Sequence, residues 1–211
     1  RTNESDAKIM FVLDQLFDKV SHAMTKLYIK KYVIVHMTDS MSGIAKFMAA
    51  KKINKDIQYS NKVIKWNDFL KVDLVKNEDF EYQPDYPLIM VYSSGSTGAS
   101  KGIVLTNDGI NATISHYSNA NFSFKRGDSF LQIVPTWFST GIVLSIMMPI
   151  CLGITVILEP IFSGESFSND IKKYQPNMTL GATSLWLYVL SDTKMERVDL
   201  SNFTYPITGG E

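Results

Sequence analysis

The chain has very little cysteine and no excess of charge of either sign, and each shortage excludes a class of protein. Its 211 residues include one cysteine, Cys151, so an internal disulfide is impossible and a reducing compartment such as the cytoplasm is expected. Cys151 lies between Ile150 and Leu152, which predicts a buried structural thiol and not a nucleophile. The 21 basic and 21 acidic residues give a formal net charge of zero, which argues against nucleic acid as a partner.

Long hydrophobic runs and recognisable metal ligands are also scarce. The longest apolar run, Ile142 to Leu158, is interrupted by Pro149 and Gly153 and is shorter than the roughly twenty residues that span a bilayer, so no membrane span is expected. It predicts instead a buried helix to about Cys151, a turn, and a strand to Leu158. The N-terminal residues do not resemble a signal peptide. The histidines are scattered, so we expect surface or hydrogen-bonded roles for them and no metal site.

What the chain does have is a regular alternation of apolar segments at helical and strand spacing. Strands separated by helices favour an α/β fold with a mostly parallel sheet flanked by helices. The predicted helices are Asp6–Leu27, Met41–Ala50, one capped by Asn67 and ending near Val75, Asn107–Ala120, Phe167–Tyr174 and Thr183–Leu190. The predicted strands are Tyr32–Met37, Leu88–Tyr92, Ile103–Leu105, Ser129–Val134, Met178–Leu180 and Tyr205–Thr208.

The most informative stretch is Tyr92 to Gly102, with the sequence YSSGSTGASKG. Its glycines permit positive φ and expose backbone N–H groups, and successive N–H groups form a concavity that binds anions. Its hydroxyls and Lys101 add donors and positive charge. The strand before it, Leu88 to Tyr92, is apolar on both faces, which predicts a central parallel strand with the loop at its carboxyl end, where α/β proteins bind ligands. A flexible Gly/Ser connection is the alternative interpretation. The glycine and lysine spacing excludes a Walker-type loop.

This loop resembles the phosphate-loop signature of the adenylate-forming superfamily, which includes acyl- and aryl-CoA synthetases, luciferases and amino-acid adenylation domains. Ser100 replaces the usual proline of the signature. The resemblance implies that the chain is part of the large N-terminal domain of such an enzyme. It also implies that the loop binds ATP phosphates and that Lys101 offsets the charge of departing pyrophosphate. The phosphate-binding residues would be Ser93, Ser94, Gly95, Ser96, Thr97, Gly98 and Lys101. A solvated lysine at a loop end is the alternative for Lys101.

Two later segments are similar to family segments in the same order. Pro135 to Gly141, with the sequence PTWFSTG, looks like the segment whose aromatic residues wall the acyl pocket, with Phe138 where many members carry histidine. Pro206 to Glu211 looks like the segment whose glycines lie against adenine. The resemblance therefore implies a substrate pocket formed by Trp137, Phe138, Ser139, Gly141 and Gly181, and nucleotide contacts from Gly209, Gly210 and Glu211. Core packing of the aromatic residues and helix capping by Thr183 are alternatives.

The implied chemistry is ATP-dependent adenylation of a small carboxylic acid, with Mg²⁺, followed by transfer to coenzyme A or to carrier-protein phosphopantetheine. An amino-acid adenylation domain and a nucleotide-binding module without catalysis are the other possibilities. The later family motifs that hold Mg²⁺ and ribose, and the catalytic lysine of a mobile C-terminal domain, do not occur in the sequence. We therefore expect residues 1–211 to be a single partial AMP-binding domain, truncated at both ends, without its C-terminal lid domain and inactive alone.

Overall fold

A computed structural model describes residues 2–71, 81–93, 100–120, 123–159 and 163–209. The chain divides into two compact units, Arg1–Tyr82 and Gln83–Glu211. The assignment of both units to one partial domain remains a prediction. Among the described residues, no helix combines the length and the apolar character that a bilayer crossing requires.

The first unit contains a three-stranded sheet in the order β1-β2-β3, and all its pairings are parallel. Its strands are β1 (Ile9–Leu13), β2 (Lys31–Val35) and β3 (Val63–Lys65). Its helices are α1 (Phe17–Ser21), α2 (Gly43–Ile53) and α3 (Trp66–Phe69), with short 3-10 turns at Asp14–Leu16 and Met24–Lys26. The core of this unit is built from Val12, Ile29, Tyr32, Ile34, Ile57 and Val63.

A buried polar network lies where β1 and β2 end. Asp14 is 1% exposed. Its Oδ2 accepts hydrogen bonds from His36 Nδ1 and the Lys55 backbone N–H, both at 2.8 Å. His36 Nε2 lies 2.9 Å from the Tyr59 hydroxyl oxygen. Burial, followed by the nearby carboxylates of Asp39 and Asp14, raises the pKa of Tyr59, so the phenol keeps its proton and can donate it to His36. His36 is therefore a hydrogen-bonded histidine, as the sequence indicates.

The second unit contains a four-stranded parallel sheet in the order β7-β6-β8-β9 and a separate antiparallel pair, β4-β5. The strands are β4 (Pro87–Ser93), β5 (Lys101–Thr106), β6 (Ser129–Gln132), β7 (Thr155–Leu158), β8 (Met178–Gly181) and β9 (Tyr205–Thr208). The helices are α4 (Asn107–Asn119), α5 (Ser139–Ile142), α6 (Met148–Leu152), α7 (Gly164–Tyr174) and α8 (Thr183–Ser191). A π-helical turn, Val143–Met147, joins α5 to α6.

Side chains of the central strand β6 alternate between two cores, one on each face of the sheet. Phe130 belongs to a cluster with Ile110 and Ile114 of α4 and Met148 of α6. Leu131 belongs to a cluster with Phe167 and Ile171 of α7, against which part of α8 also packs. This period-two alternation gives three layers, with helices on both faces of the sheet. The α/β class with a mostly parallel sheet is confirmed.

The hairpin β4-β5 corrects the expectation for the strand that leads into the glycine-rich loop. The sequence predicts a buried strand inside a parallel sheet, but β4 pairs antiparallel with β5 and most of its residues are exposed or half-buried. Ser93 and Lys101 are partners across the pair, so the loop connects two hydrogen-bonded neighbours. The apolar run of β4 still has a packing role, because Ile89 and Leu105 pack against the core that contains Phe130.

Other expectations also change. The segment Asp6–Leu27 forms β1, two 3-10 turns and the short helix α1 instead of one long helix. The helix predicted after Asn67 begins at Trp66 and includes Asn67, whereas the cap position is Lys65; residues 72–80 of that prediction lie outside the described residues. The expectation that Cys151 is buried is wrong, because Cys151, the fourth residue of the short helix α6, is exposed.

Candidate functional site

The carboxyl edge of the four-stranded sheet gathers several of the predicted site residues. Because β6, β7, β8 and β9 are all parallel, the segments that follow them leave the sheet at the same edge. Those segments contain Pro135–Gly141 after β6, Gly181 at the end of β8, and Gly209 after β9. The backbone N–H of Gly209 donates to the Gly181 carbonyl over 3.4 Å, which joins two of these segments directly. Ligands bind at this edge in open α/β sheets.

A tight turn shapes the segment that carries the aromatic residues. The Phe138 N–H donates to the Pro135 carbonyl at 3.1 Å, and the Ile142 N–H then donates to the Phe138 carbonyl at 3.1 Å as α5 begins. Gly141 is essential to this packing, since a Cβ there would lie 2.1 Å from the Pro135 carbonyl oxygen. The turn therefore rests directly on the first turn of the helix that contains Ser139.

Trp137 and Phe138 project from this turn instead of entering a core. Trp137 is 73% exposed and Phe138 is 53% exposed, and their ring centroids are 6.1 Å apart. This exposure does not fit the alternative in which both are core aromatic residues. The two adjacent rings therefore form an exposed apolar surface at the carboxyl edge of the sheet.

Gln132 fixes this turn to the end of β6, and the sequence reasoning missed it. The side chain is 3% exposed. Its Nε2 donates to the Val134 carbonyl at 2.7 Å and its Oε1 accepts from the Val134 N–H at 2.8 Å. The Gln132 side chain therefore pairs with both the backbone N–H and the backbone carbonyl of Val134. The available signal was a polar residue inside the apolar run Phe130 to Val134, directly before Pro135.

Gly181 and its neighbours form the second part of the edge. A Cβ on Gly181 would lie 2.3 Å from Leu185 Cδ2, so the close approach of α8 to β8 requires glycine or a shift of Leu185. The helix cap is Ala182, without a side-chain hydrogen bond, so the alternative that Thr183 caps α8 is wrong. The Trp186 indole N–H donates to the Ile207 carbonyl at 3.2 Å and links α8 to β9.

The glycine-rich loop is described only at its two ends. Ser94, Gly95, Ser96, Thr97 and Gly98 lie outside the described residues, as do Gly210 and Glu211. Ser93 and Lys101, which flank the loop, are both exposed. Within the described ranges, Lys101 Nζ makes no hydrogen bond or ion pair with another residue.

The backbone at Gly209 is open on one side. Among the described residues other than its chain neighbours, no atom lies within 4 Å of a Cβ added at Gly209. In the part of the chain that the structure describes, no group of three or more His, Cys, Asp or Glu side chains is placed to hold a metal ion.

Comparisons with known proteins agree with this architecture. The family model described as "AMP-binding enzyme" matches residues 1–211. The chain is 26% identical over 206 residues to luciferin 4-monooxygenase of Photuris pensylvanica, covering 96% of this chain and 35% of that protein. It is 22% identical over 213 residues to a long-chain-fatty-acid–CoA ligase of Bacillus subtilis (strain 168), covering 98% of this chain and 38% of that protein.

A solved structure shows the same fold. The luciferase-like enzyme from the nonluminescent Zophobas morio mealworm aligns with a TM-score of 0.70 at 18% identity, covering 97% of this chain and 43% of that one. The chain therefore spans little more than a third of the length of these two sequence relatives.

Proposed function

From the premise that this chain belongs to the AMP-binding enzyme family, we propose that the protein containing it is an acyl- or aryl-CoA ligase that forms an acyl-adenylate. In the first step a carboxylate oxygen attacks the α-phosphorus of ATP, the bond from that phosphorus to the bridging oxygen breaks, and pyrophosphate leaves. In the second step the thiolate of coenzyme A attacks the acyl carbon and AMP leaves. The observation that carries the proposal is the family match over all 211 residues.

The residues of the glycine-rich loop have the chemistry that the first step needs. Backbone N–H groups and hydroxyls of Ser93 to Thr97 would hold the β- and γ-phosphates, and each charge-assisted hydrogen bond contributes on the order of 1.5 to 3 kcal/mol. The ammonium of Lys101 would offset the charge that develops on pyrophosphate as it leaves. Mg²⁺ would arrive with ATP and reduce the same negative charge.

The turn Pro135–Phe138, here called the aromatic turn, supports an apolar acid as the substrate. Trp137 and Phe138 offer exposed rings at the carboxyl edge of the sheet, and such surfaces bind alkyl or aryl groups. An amino-acid adenylation domain, the second candidate, must also recognise an α-ammonium group. Neither Pro135–Gly141 nor Gly181–Thr183 contains a carboxylate that could pair with it. We therefore favour coenzyme A over carrier-protein phosphopantetheine as the acceptor, with carriers as the alternative.

We also propose that residues 1–211 are inactive alone and act as part of a longer enzyme with a C-terminal domain. Relatives that match nearly all of this chain are much longer than it is. Ribose and Mg²⁺ ligands, together with a mobile domain that closes over the adenylate, would have to come from additional chain. Adenylate formation by the isolated 211 residues would contradict this.

Pyrophosphate exchange tests the proposal on the full-length protein. The exchange of labelled pyrophosphate into ATP is measured with a panel of fatty, aryl and amino acids. We expect this exchange to require an apolar acid. Replacement of the lysine in Lys101→Gln should lower kcat/KM by about 10²-fold, because one preorganised charge that stabilises the transition state is lost. The matched control Lys125→Gln removes an exposed lysine elsewhere in the same unit and should leave exchange unchanged.

Two results would contradict the ligase assignment in different ways. Exchange supported only by amino acids would favour the carrier-loading alternative. Binding of Mg·ATP in equilibrium dialysis without exchange for any acid would favour a nucleotide-binding module that does no chemistry.

A further inference from the structure

The side chain of Gln132 extends the hydrogen bonding of the sheet past the end of β6. Its carboxamide carries donor and acceptor groups as a peptide bond does, and it pairs with both backbone groups of Val134. Along β6 the backbone groups are paired by the neighbouring strands β7 and β8. At Val134 the Gln132 side chain takes the place of such a strand.

The backbone that carries this side chain is itself firmly held. The Gln132 carbonyl accepts a hydrogen bond from the Glu159 N–H at 3.1 Å, directly after β7 ends. The carbonyl of the preceding residue, Leu131, accepts from the Thr179 hydroxyl at 2.6 Å. Because the Gln132 side chain is also buried, water does not compete for its carboxamide. Gln132 is therefore a fixed attachment point for the chain that follows β6.

This attachment determines where the exposed rings of the aromatic turn lie. Val134 precedes Pro135, whose ring fixes its own φ and restricts the conformation of Val134. At the other end of the turn, the Pro135 carbonyl accepts from the Phe138 N–H. Trp137 lies between these two attachments and is largely exposed, so core packing does not fix its ring. The backbone of the turn must do so.

We propose that Gln132 is a positioning residue that makes the enzyme selective for planar aryl acids. This inference rests on the proposed ligase function. The ring planes of Trp137 and Phe138 are inclined by 51°, so they form a corner. A planar aryl group can place its face against one ring and its edge against the other. A flexible alkyl chain adapts to displaced rings and a planar group does not, so aryl acids depend most on Gln132.

Fluorine NMR of the full-length protein labelled with fluorotryptophan tests the positioning step without a substrate. The Trp137 resonance is assigned by its absence in Trp137→Phe. Gln132→Leu removes both hydrogen bonds to Val134 at similar side-chain size, and we expect the Trp137 resonance to shift or split. The matched control is Thr179→Val, which removes a buried hydrogen bond to β6 without touching the turn. It should leave the Trp137 resonance in place.

Pyrophosphate exchange with cinnamate, a planar aryl acid, and octanoate, a flexible alkyl acid of similar size, tests the selectivity. We expect Gln132→Leu to lower kcat/KM roughly tenfold for cinnamate and less than about threefold for octanoate, because a misplaced contact surface weakens the rigid substrate more. The cinnamate loss should appear mainly in KM. Thr179→Val should change both values by the same factor, below about twofold.

Gln132→Glu provides a rescue by pH that a purely structural role would not produce. An ionised carboxylate accepts from the Val134 N–H but has no proton to donate to the Val134 carbonyl. Burial raises the pKa of a carboxyl group, so the introduced side chain regains a proton as pH falls. The ratio of kcat/KM for cinnamate to that for octanoate, relative to wild type, should therefore recover from about pH 8 to about pH 6 in this variant. In Gln132→Leu it should stay low.

The possible failures are distinguishable. Equal losses for the two acids in Gln132→Leu, or the same change of ratio in Thr179→Val, would overturn the role of Gln132 and leave the ligase assignment intact. Exchange with octanoate but not with cinnamate in wild type would overturn the aryl selectivity. Absence of exchange with every acid would refute the proposed function and with it the selectivity. An unmoved Trp137 resonance in Gln132→Leu would overturn the positioning step in every case.

Discussion

At the scale of single residues, Asp14 shows how hydrogen bonds can outweigh burial. Burial opposes ionisation, but the backbone N–H of Lys55, the imidazole of His36 and the backbone N–H of Gln15 together lower the pKa of Asp14 below its usual value. The carboxylate accepts all three donors. An ionised, fully paired Asp14 therefore joins the ends of β1 and β2 to the chain around Lys55.

This network should give the first unit an acid-sensitive stability. Because the folded-state pKa of Asp14 is lowered, its contribution is present above the unfolded value of about 3.9 and is lost as pH falls through the folded value. Asp14→Asn should reduce the free energy of unfolding at neutral pH by about 2 kcal/mol, since the amide places a donor against other donors. The difference from wild type should shrink below about pH 4. Urea unfolding at several pH values measures both effects.

Asp18→Asn provides the matched control for Asp14→Asn. Asp18 is exposed and pairs with Lys55 at the surface. Exposed ion pairs contribute about 0 to 1 kcal/mol, so this variant should unfold much like wild type. Equal destabilisation by the two variants would show that the loss of one negative charge, and not the loss of the buried network, determines the effect.

At the scale of elements, local signals predicted most of the second unit correctly. The helix Asn107–Asn119 begins directly after its cap residue, Thr106. The Thr106 hydroxyl oxygen accepts a hydrogen bond from the Gly109 N–H at 3.2 Å. Gly153 ends α6 in a left-handed conformation with φ of 70°, as its position after an apolar helix indicates. Capping residues, helix-ending glycines and the spacing of apolar residues all lie within a few residues of the helix boundaries that they specify. A single sequence is therefore sufficient to locate them.

The errors occurred where pairing with another strand decides the structure. Ile9 to Leu13 fits helical spacing within a longer pattern, but parallel pairing with Lys31–Val35 makes it a strand. Likewise, the apolar run of β4 does not reveal that its partner is the next strand in antiparallel orientation. The existence and direction of a pairing depend on a partner segment outside the strand itself. Local pattern alone cannot supply it.

The candidate site was also predicted only in part. The motif order placed Trp137, Phe138, Gly181 and Gly209 on segments that do meet at one edge of the sheet. Gln132 was not predicted, because its role depends on where its side chain points after β6 ends. A polar residue in an apolar strand is visible in the sequence, but its bond to Val134 is not.

The aromatic turn depends on one glycine. Gly141→Ala would place a methyl group 2.1 Å from the Pro135 carbonyl oxygen, where backbone and not a flexible side chain must move. We expect the free energy of unfolding to fall by about 1 to 3 kcal/mol and the Trp137 fluorescence environment to change as the turn shifts. Thermal denaturation and tryptophan emission measure these effects.

Gly209→Ala is the control for Gly141→Ala. It adds the same methyl group at the same edge of the sheet, but no atom of the described residues, apart from its chain neighbours, lies within 4 Å of the new Cβ. The free energy of unfolding should therefore change by less than about 0.5 kcal/mol. Tolerance of both substitutions would mean that the turn does not rest on the helix as closely as described.

At the scale of the whole molecule, the residues from Gln83 onward have their own core. The four-stranded sheet is covered by a cluster around Phe130 on one face and a cluster around Leu131 on the other. The hairpin β4-β5 joins the first cluster through Ile89 and Leu105. Buried Thr179 also donates to the Leu131 carbonyl at 2.6 Å and links β8 to β6. Two covered faces are the usual requirement for an independent α/β unit.

We therefore expect residues 83–211, expressed alone, to unfold cooperatively on heating and to retain near-ultraviolet circular dichroism from Trp186, whose ring lies 6.1 Å from that of Phe167. Phe130→Ala in this shortened protein should lower its stability by about 3 to 5 kcal/mol, because Phe130 is among the most buried side chains of the unit. Trp137→Ala, which removes an exposed ring, should cost far less. A gradual transition that Phe130→Ala does not alter would show that this core forms only together with residues 1–82.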